Sequence, residues 1–329
     1  MDDPREAHRR VHTGLFDLSF EPPAPPALVS LGKTLFFDPR LSSTGRMSCA
    51  TCHKPDMAWA DGLPRAQGRL ADLPRNTPSL FNVHRNLSQD FALDGRARRL
   101  EDAIIEAMSN RAEMNRDAAS LSTELRRIPG YGQGFLAAYG DGEITQERTA
   151  HALAVFLRAE IKLGETPFDR YAKDDTALNP AQRRGLALFV GKGGCLRCHS
   201  GPYFSDDSFH RTGLTNGPDG PDPGRYAIEP NPKFWRAFKT PPLRGVALTA
   251  PYMHDGRFAT LADVVAFYDR GGDDSDHDEE IVELGLTPEE REDLTAFLGA
   301  LTGPFKRITP PALPPSPADY DVSPVDARK

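Results

Sequence analysis

The chain carries four cysteines in two pairs, and each pair is followed at once by histidine: Cys49-Ala-Thr-Cys52-His53 and Cys195-Leu-Arg-Cys198-His199. No other feature constrains the fold as tightly. Two thiols at this spacing meet the two vinyl groups of one haem as thioethers, and the adjacent histidine turns its imidazole onto the iron. The pattern predicts two c-type haems, with His53 and His199 as proximal iron ligands. A lone C-x-x-C also suits a redox-active dithiol or a disulfide, and four cysteines can converge on one zinc ion. Zinc, however, requires no histidine directly after each second cysteine. No βαβ pattern of the thioredoxin kind surrounds either pair.

A length of 329 residues allows about two domains. The 39% hydrophobic and 26% charged content is that of an ordinary soluble protein. Thirty prolines imply long loops and extended connectors rather than a plain helical bundle. No apolar run approaches the ~18 residues of a membrane span. A net charge of −7 argues against nucleic acid as a partner. Covalent haem attachment in bacteria takes place outside the cytoplasmic membrane, so the periplasm is the expected compartment. The polar start Met1-Asp2-Asp3-Pro4 is then that of a mature chain whose signal peptide has been removed.

The expected class is mainly α, with two cytochrome c-like domains, one haem each, long loops and little strand. Residues 1–30 read as an extended proline-rich arm, 31–165 as the first haem domain, 166–303 as the second and 304–329 as a proline-rich tail. Apolar periodicity predicts helices over Leu100–Met108, Thr145–Leu163 and Pro180–Val190. Thr260 with Asp263, and Thr287 with Glu290, are capping-box pairs that open two more helices. The runs 62–78 and 215–232 read as loops.

The residues also carry a resemblance. The strings Leu31-Gly-Lys-Thr-Leu-Phe-Phe-Asp-Pro39, both haem motifs, Asp94-Gly-Arg-Ala97, Asn110 to Met114, Gly201-Pro-Tyr-Phe-Ser205 and Thr249-Ala-Pro-Tyr-Met-His-Asp-Gly256 together resemble the bacterial dihaem cytochrome c peroxidase family, including its MauG-type members. The resemblance covers roughly residues 28–303. It implies a first haem that reacts with hydrogen peroxide and a six-coordinate second haem that carries electrons. It also implies one calcium ion between the domains, at Asn76, Thr249 and Pro251; oxygen ligands on loops suit that hard cation.

Three positions bear on the branch. The family's peroxidases place methionine fourteen residues after the histidine of the H-D-G string, as second ligand of the second haem; here that position is Tyr268, as in MauG-type enzymes. Phenolate is a hard anionic donor and favours the higher oxidation states of iron. Met253 is the rival ligand. Peroxidases also carry a loop histidine that blocks the first haem until the second is reduced; none lies between Asp61 and Arg75, and His84 comes too late. Glu113 matches the family's distal glutamate, which shuttles a proton during O–O cleavage.

Two departures stand beside these matches. Ala103 replaces a distal glutamine, and Leu93 replaces a tryptophan between the haems. Leucine cannot be oxidised, so Phe91, Trp59 or direct tunnelling would have to carry charge. His254, Asp255 and Arg244 are candidates for holding haem propionates.

The expectation is a MauG-like enzyme. Peroxide reacts at an open first haem, a high-valent dihaem state forms, and a periplasmic protein partner is oxidised at tryptophan or tyrosine. The alternatives are a peroxidase fed by a small cytochrome or cupredoxin, and a dihaem electron carrier without enzymatic activity.

Overall fold

The computed structural model describes residues 23–83, 90–171, 173–217 and 220–317. Its regular structure is helical, apart from one antiparallel pair of two-residue strands, Phe209–His210 and Phe238–Lys239. No helix among the described residues is long and apolar enough to cross a membrane.

Two hydrophobic cores form. The first collects side chains from Leu28 to Ile161 and adds Ile308 from the tail. The second runs from Phe168 to Leu301. Both are built on the same crossing of two helices. In the first core a leading helix, Pro26–Phe37, crosses a closing helix, Gln146–Glu160. In the second, Pro180–Val190 crosses Pro288–Gly299.

Each crossing turns on a glycine. A Cβ at Gly32 would strike the Ala152 carbonyl and Phe156; one at Gly185 would strike the Asp293 carbonyl and Phe297. One turn further along each leading helix, Phe36 meets Phe156 at 5.4 Å between ring centroids and Phe189 meets Phe297 at 5.2 Å. The same four-residue device is used twice, and it sets the angle at which each leading helix delivers the chain to its haem motif.

The helices read from periodicity and capping are present: Leu100–Ser109, Gln146–Glu160, Pro180–Val190, Leu261–Asp269 and Pro288–Gly299. Thr260 with Asp263 and Thr287 with Glu290 form the expected capping boxes. Two departures have physical causes. Of the arm read over 1–30, residues 1–22 lie outside the described residues, and its end is helical rather than extended. Pro26 opens that helix at a position where its fixed φ helps, and Leu28, Leu31 and Leu35 give it a buried face. The helix Pro129–Tyr139 contains three glycines and has poor propensity; burial of Tyr131 and Phe135 overrides it.

The tail continues without helix to residue 317 and lies against the first core. Phe305 bridges to Leu163, Pro314 packs over Gly130, and Arg40 donates to the Pro314 carbonyl (2.9 Å) and the Ser316 hydroxyl (2.9 Å). Residues 318–329 lie outside the described residues. Arg40 is itself buried on Asp38, which also accepts a 2.5 Å hydrogen bond from Tyr131. The Leu31–Pro39 string therefore ends in a buried polar knot that pins the tail.

Candidate dihaem site

All four cysteines are free, and they lie apart: Cys49 packs against the first core and Cys195 against the second. Among the described residues no cluster of metal-binding side chains unites them. With the two pairs in different cores, one zinc ion cannot gather all four thiols.

Each histidine is oriented in the same way. His53 donates from Nδ1 to the Trp59 carbonyl at 3.0 Å, and His199 from Nδ1 to the Phe204 carbonyl at 2.7 Å. With Nδ1 occupied, Nε2 is the nitrogen left for iron, and the hydrogen bond fixes the ring and its tautomer. Burial pushes both imidazoles below their ordinary pKa, so both are neutral, as ligation demands. The accepting carbonyls are aimed by backbone in the left-handed region, with φ 62° at Trp59 and 58° at Phe204. Both side chains are buried: Trp59 packs edge-on against Phe36, and Phe204 against Phe168. Burial also raises the thiols, to about 12 at Cys49, 11 at Cys52 and 12 at Cys195, which keeps them protonated thiols at neutral pH. Neutral imidazoles beside paired thiols fit c-type haem at both places.

The first motif opens onto a cavity of about 1040 Å³ lined by Cys49, Cys52, His53 and Glu113. Ala103 and Leu93 also line it, so the two departures noted in the sequence fall at the site. The cavity extends to Ser200, Tyr203 and Pro241, beside the second motif. Leu93 sits on the seam between the two cores, where its carbonyl accepts from the Lys239 amide at 2.8 Å.

Glu113 accepts a hydrogen bond from Asn110 Nδ2 at 2.9 Å. Asn110 also donates to Glu106 at 3.3 Å, and Arg96 reaches the same Glu106 oxygen at 3.3 Å. Burial, reinforced by Glu106, raises the Glu113 carboxyl to about 7. A carboxyl near neutrality can both take and return a proton.

Tyr268 lies on the helix Leu261–Asp269. Burial raises its hydroxyl, and the Cys198 and Cys195 sulfurs are close enough to add to the shift, so it faces the second motif. Asn76 and the 249–256 loop are brought together: the Asn76 amide donates to the His254 carbonyl at 2.7 Å. Asn76 Nδ2 donates to the Leu63 carbonyl at 2.7 Å, which leaves its side-chain oxygen as the group that can bind a cation.

The proposed propionate holders have other partners. Arg244 forks onto Asp169 (2.7 and 2.8 Å), Asp255 pairs with Arg257, and His254 stacks on Phe238 at 4.0 Å. Sequence reading missed Arg75, which joins Asp94 of the first half (2.6 Å) to Asp222 of the second (2.7 Å). It also missed His210, held between Asp206 (2.9 Å) and Asp278 (3.2 Å). Hydrogen bonds donated to Asp206 and then to Cys198 push His210 up to about 11. Cys198, Asp206 and His210 form a metal-like trio, but Cys198 belongs to the haem motif.

Comparison with known proteins agrees with this geometry. A family model described as di-haem cytochrome c peroxidase matches residues 26–177. The methylamine utilization protein MauG of Methylorubrum extorquens is 42% identical over 89% of this chain and 83% of its own length. The cytochrome c551 peroxidase of Pseudomonas aeruginosa is 35% identical over 87% of this chain and 82% of its own. Among solved structures, a MauG-like protein associated with microbial copper homeostasis superposes with a TM-score of 0.79 at 28% identity, covering 88% of this chain and 95% of that one. The diheme peroxidase BthA from Burkholderia thailandensis gives 0.72 at 28% identity, covering 85% and 87%.

Proposed function

The chain belongs to the di-haem cytochrome c peroxidase and MauG family, a family of haem-dependent oxidoreductases that use peroxide, and from that premise we propose that it is a MauG-like oxidant of a periplasmic protein. The observation that carries the reading is Tyr268, buried near enough to Cys198 and Cys195 for their sulfurs to raise its hydroxyl, at the count from His254 where the family's peroxidases carry methionine. Haem, when bound, supplies cleavage of the peroxide O–O bond and storage of its oxidising equivalents.

The protein's own groups do the rest. Neutral His53 and His199 would hold the two haem irons, each ring set by its carbonyl acceptor. Glu113, near neutrality, takes a proton from incoming peroxide and returns one to the departing oxygen. Tyr268 would hold the iron of a bound second haem as phenolate, an anionic donor suited to high oxidation states. Asn76, Thr249 and Pro251 would hold one calcium ion by their oxygens, at the seam where the 249–256 loop meets Asn76. The partner is oxidised at a tryptophan or tyrosine.

EPR of the all-ferric protein before and after one equivalent of hydrogen peroxide tests this. High-spin and low-spin signals that vanish together support the reading. A wholly low-spin protein that is inert until reduced points instead to a peroxidase fed by a small redox protein.

A further inference from the structure

The two halves repeat one loop-and-helix unit at a constant offset. In the first, Phe91 donates to the Ala97 carbonyl at 2.7 Å; in the second, Tyr252 donates to Phe258 at 2.8 Å. Ala92 and Met253 both adopt left-handed backbone, with φ 68° and 71°, and Gly95 and Gly256 share φ 67°. Arg96 forks back onto Asp94 (2.8 and 2.7 Å), as Arg257 does onto Asp255 (3.0 and 2.6 Å). The helices then start at Leu100 and at Leu261. Every pair has the same spacing, so the register has no freedom. It lays Ala107 on Tyr268.

Both positions face a haem motif. Ala107 lines the cavity shared with Cys49, Cys52, His53 and Glu113, and Tyr268 adjoins Cys195 and Cys198. We infer that this single repeated helix position decides which haem is closed and which is open. In the second half it carries a side chain long enough to reach iron and armed with an oxygen donor. In the first it carries alanine, which ends at Cβ and has nothing to donate. Glu113 lies beyond the end of its helix, hydrogen-bonded to Asn110, and so attends the open face without occupying this position.

The inference rests on the reading of the first haem as the open one, and its test separates the two. Ala107→His and Ala107→Tyr holoproteins would be prepared, with both haems counted by pyridine haemochrome. Ferric EPR and CO binding to the reduced protein would then be measured. In Ala107→His the high-spin signal is expected to give way to a second low-spin signal, and CO bound per chain to fall from one to zero in both variants. Tyr268→Ala is expected to raise it from one to two. Fully loaded Ala107→His and Ala107→Tyr proteins that keep the parent's signal and CO stoichiometry would overturn the inference alone. A parent protein without any high-spin haem would overturn the open-haem reading and this inference together.

Discussion

Asn110 donates to the Glu113 carboxylate across 2.9 Å, and the same amide donates to Glu106, so two acids share one neutral clamp beside the first haem motif. The clamp positions Glu113 without neutralising it. Burial, with Glu106 adding to it, holds the carboxyl at about 7. A proton acceptor must be ionised, so the rate of reaction with peroxide is expected to rise as pH climbs through about 7. Glu113→Gln is expected to slow that reaction by roughly 10²–10⁴-fold and to flatten the profile. Stopped-flow mixing with peroxide from pH 5 to 9 reads both. Stability runs the other way. A carboxyl raised above its unfolded value of 4.5 favours the folded state at low pH, and that contribution is lost as pH rises from 4.5 through about 7. Denaturant midpoints of the parent and of Glu113→Gln over the same range should differ by this contribution, the parent falling relative to the variant as pH rises through about 7.

Tyr268→Phe keeps the ring and its packing on Phe267, 5.1 Å between centroids, and removes only the donor oxygen. The second haem should lose its low-spin signature and its reduction potential should rise, because an anionic ligand stabilises the ferric state. Spectroelectrochemistry measures both. An unaltered spectrum would show that another group, Met253 foremost, is the ligand.

Chelation should destabilise the protein and then be reversed by calcium. With free calcium at one hundred times its dissociation constant, linkage contributes about 2.7 kcal/mol. Asn76→Ala should reproduce the loss and abolish the rescue. Thermal melts with EDTA, and with calcium or magnesium restored, decide the point. A melt indifferent to EDTA would refute the site.

Asp38 is fully buried against Arg40 and accepts from Tyr131. Asp38→Ala removes the buried carboxylate that the Arg40 guanidinium forks onto, and breaking a buried pair costs about 3–5 kcal/mol. The expected result is a large drop in the unfolding midpoint. Tail contacts loosen with it, because the same guanidinium holds Pro314 and Ser316. Urea titration measures the first, and proteolysis within residues 305–317 the second.

What could be read from the sequence followed from rules that are local. The haem motifs are contiguous, Tyr268 stands at a fixed count from His254, and the capping pairs Thr260–Asp263 and Thr287–Glu290 lie within one turn. The carbonyls of Trp59 and Phe204 could not be read so easily, since any residue has a carbonyl and only the backbone turn aims it. Arg75 looked like one arginine among many until folding set it between Asp94 and Asp222. The repeat of Asp94-Gly-Arg in Asp255-Gly-Arg was visible, yet only three identical residues announce it. Its meaning lies in Ala107 and Tyr268, which are not alike at all.

The tail has a further consequence. Ile308 lies in the first core, while the second is complete by Leu301. The half made first is thus closed over by a segment made after the second half. During synthesis, residues 26–161 are made before Ile308, so their core lacks that side chain until the second half has been made. The first haem motif, Cys49 to His53, is thus packed on a core whose last pieces are among the latest made.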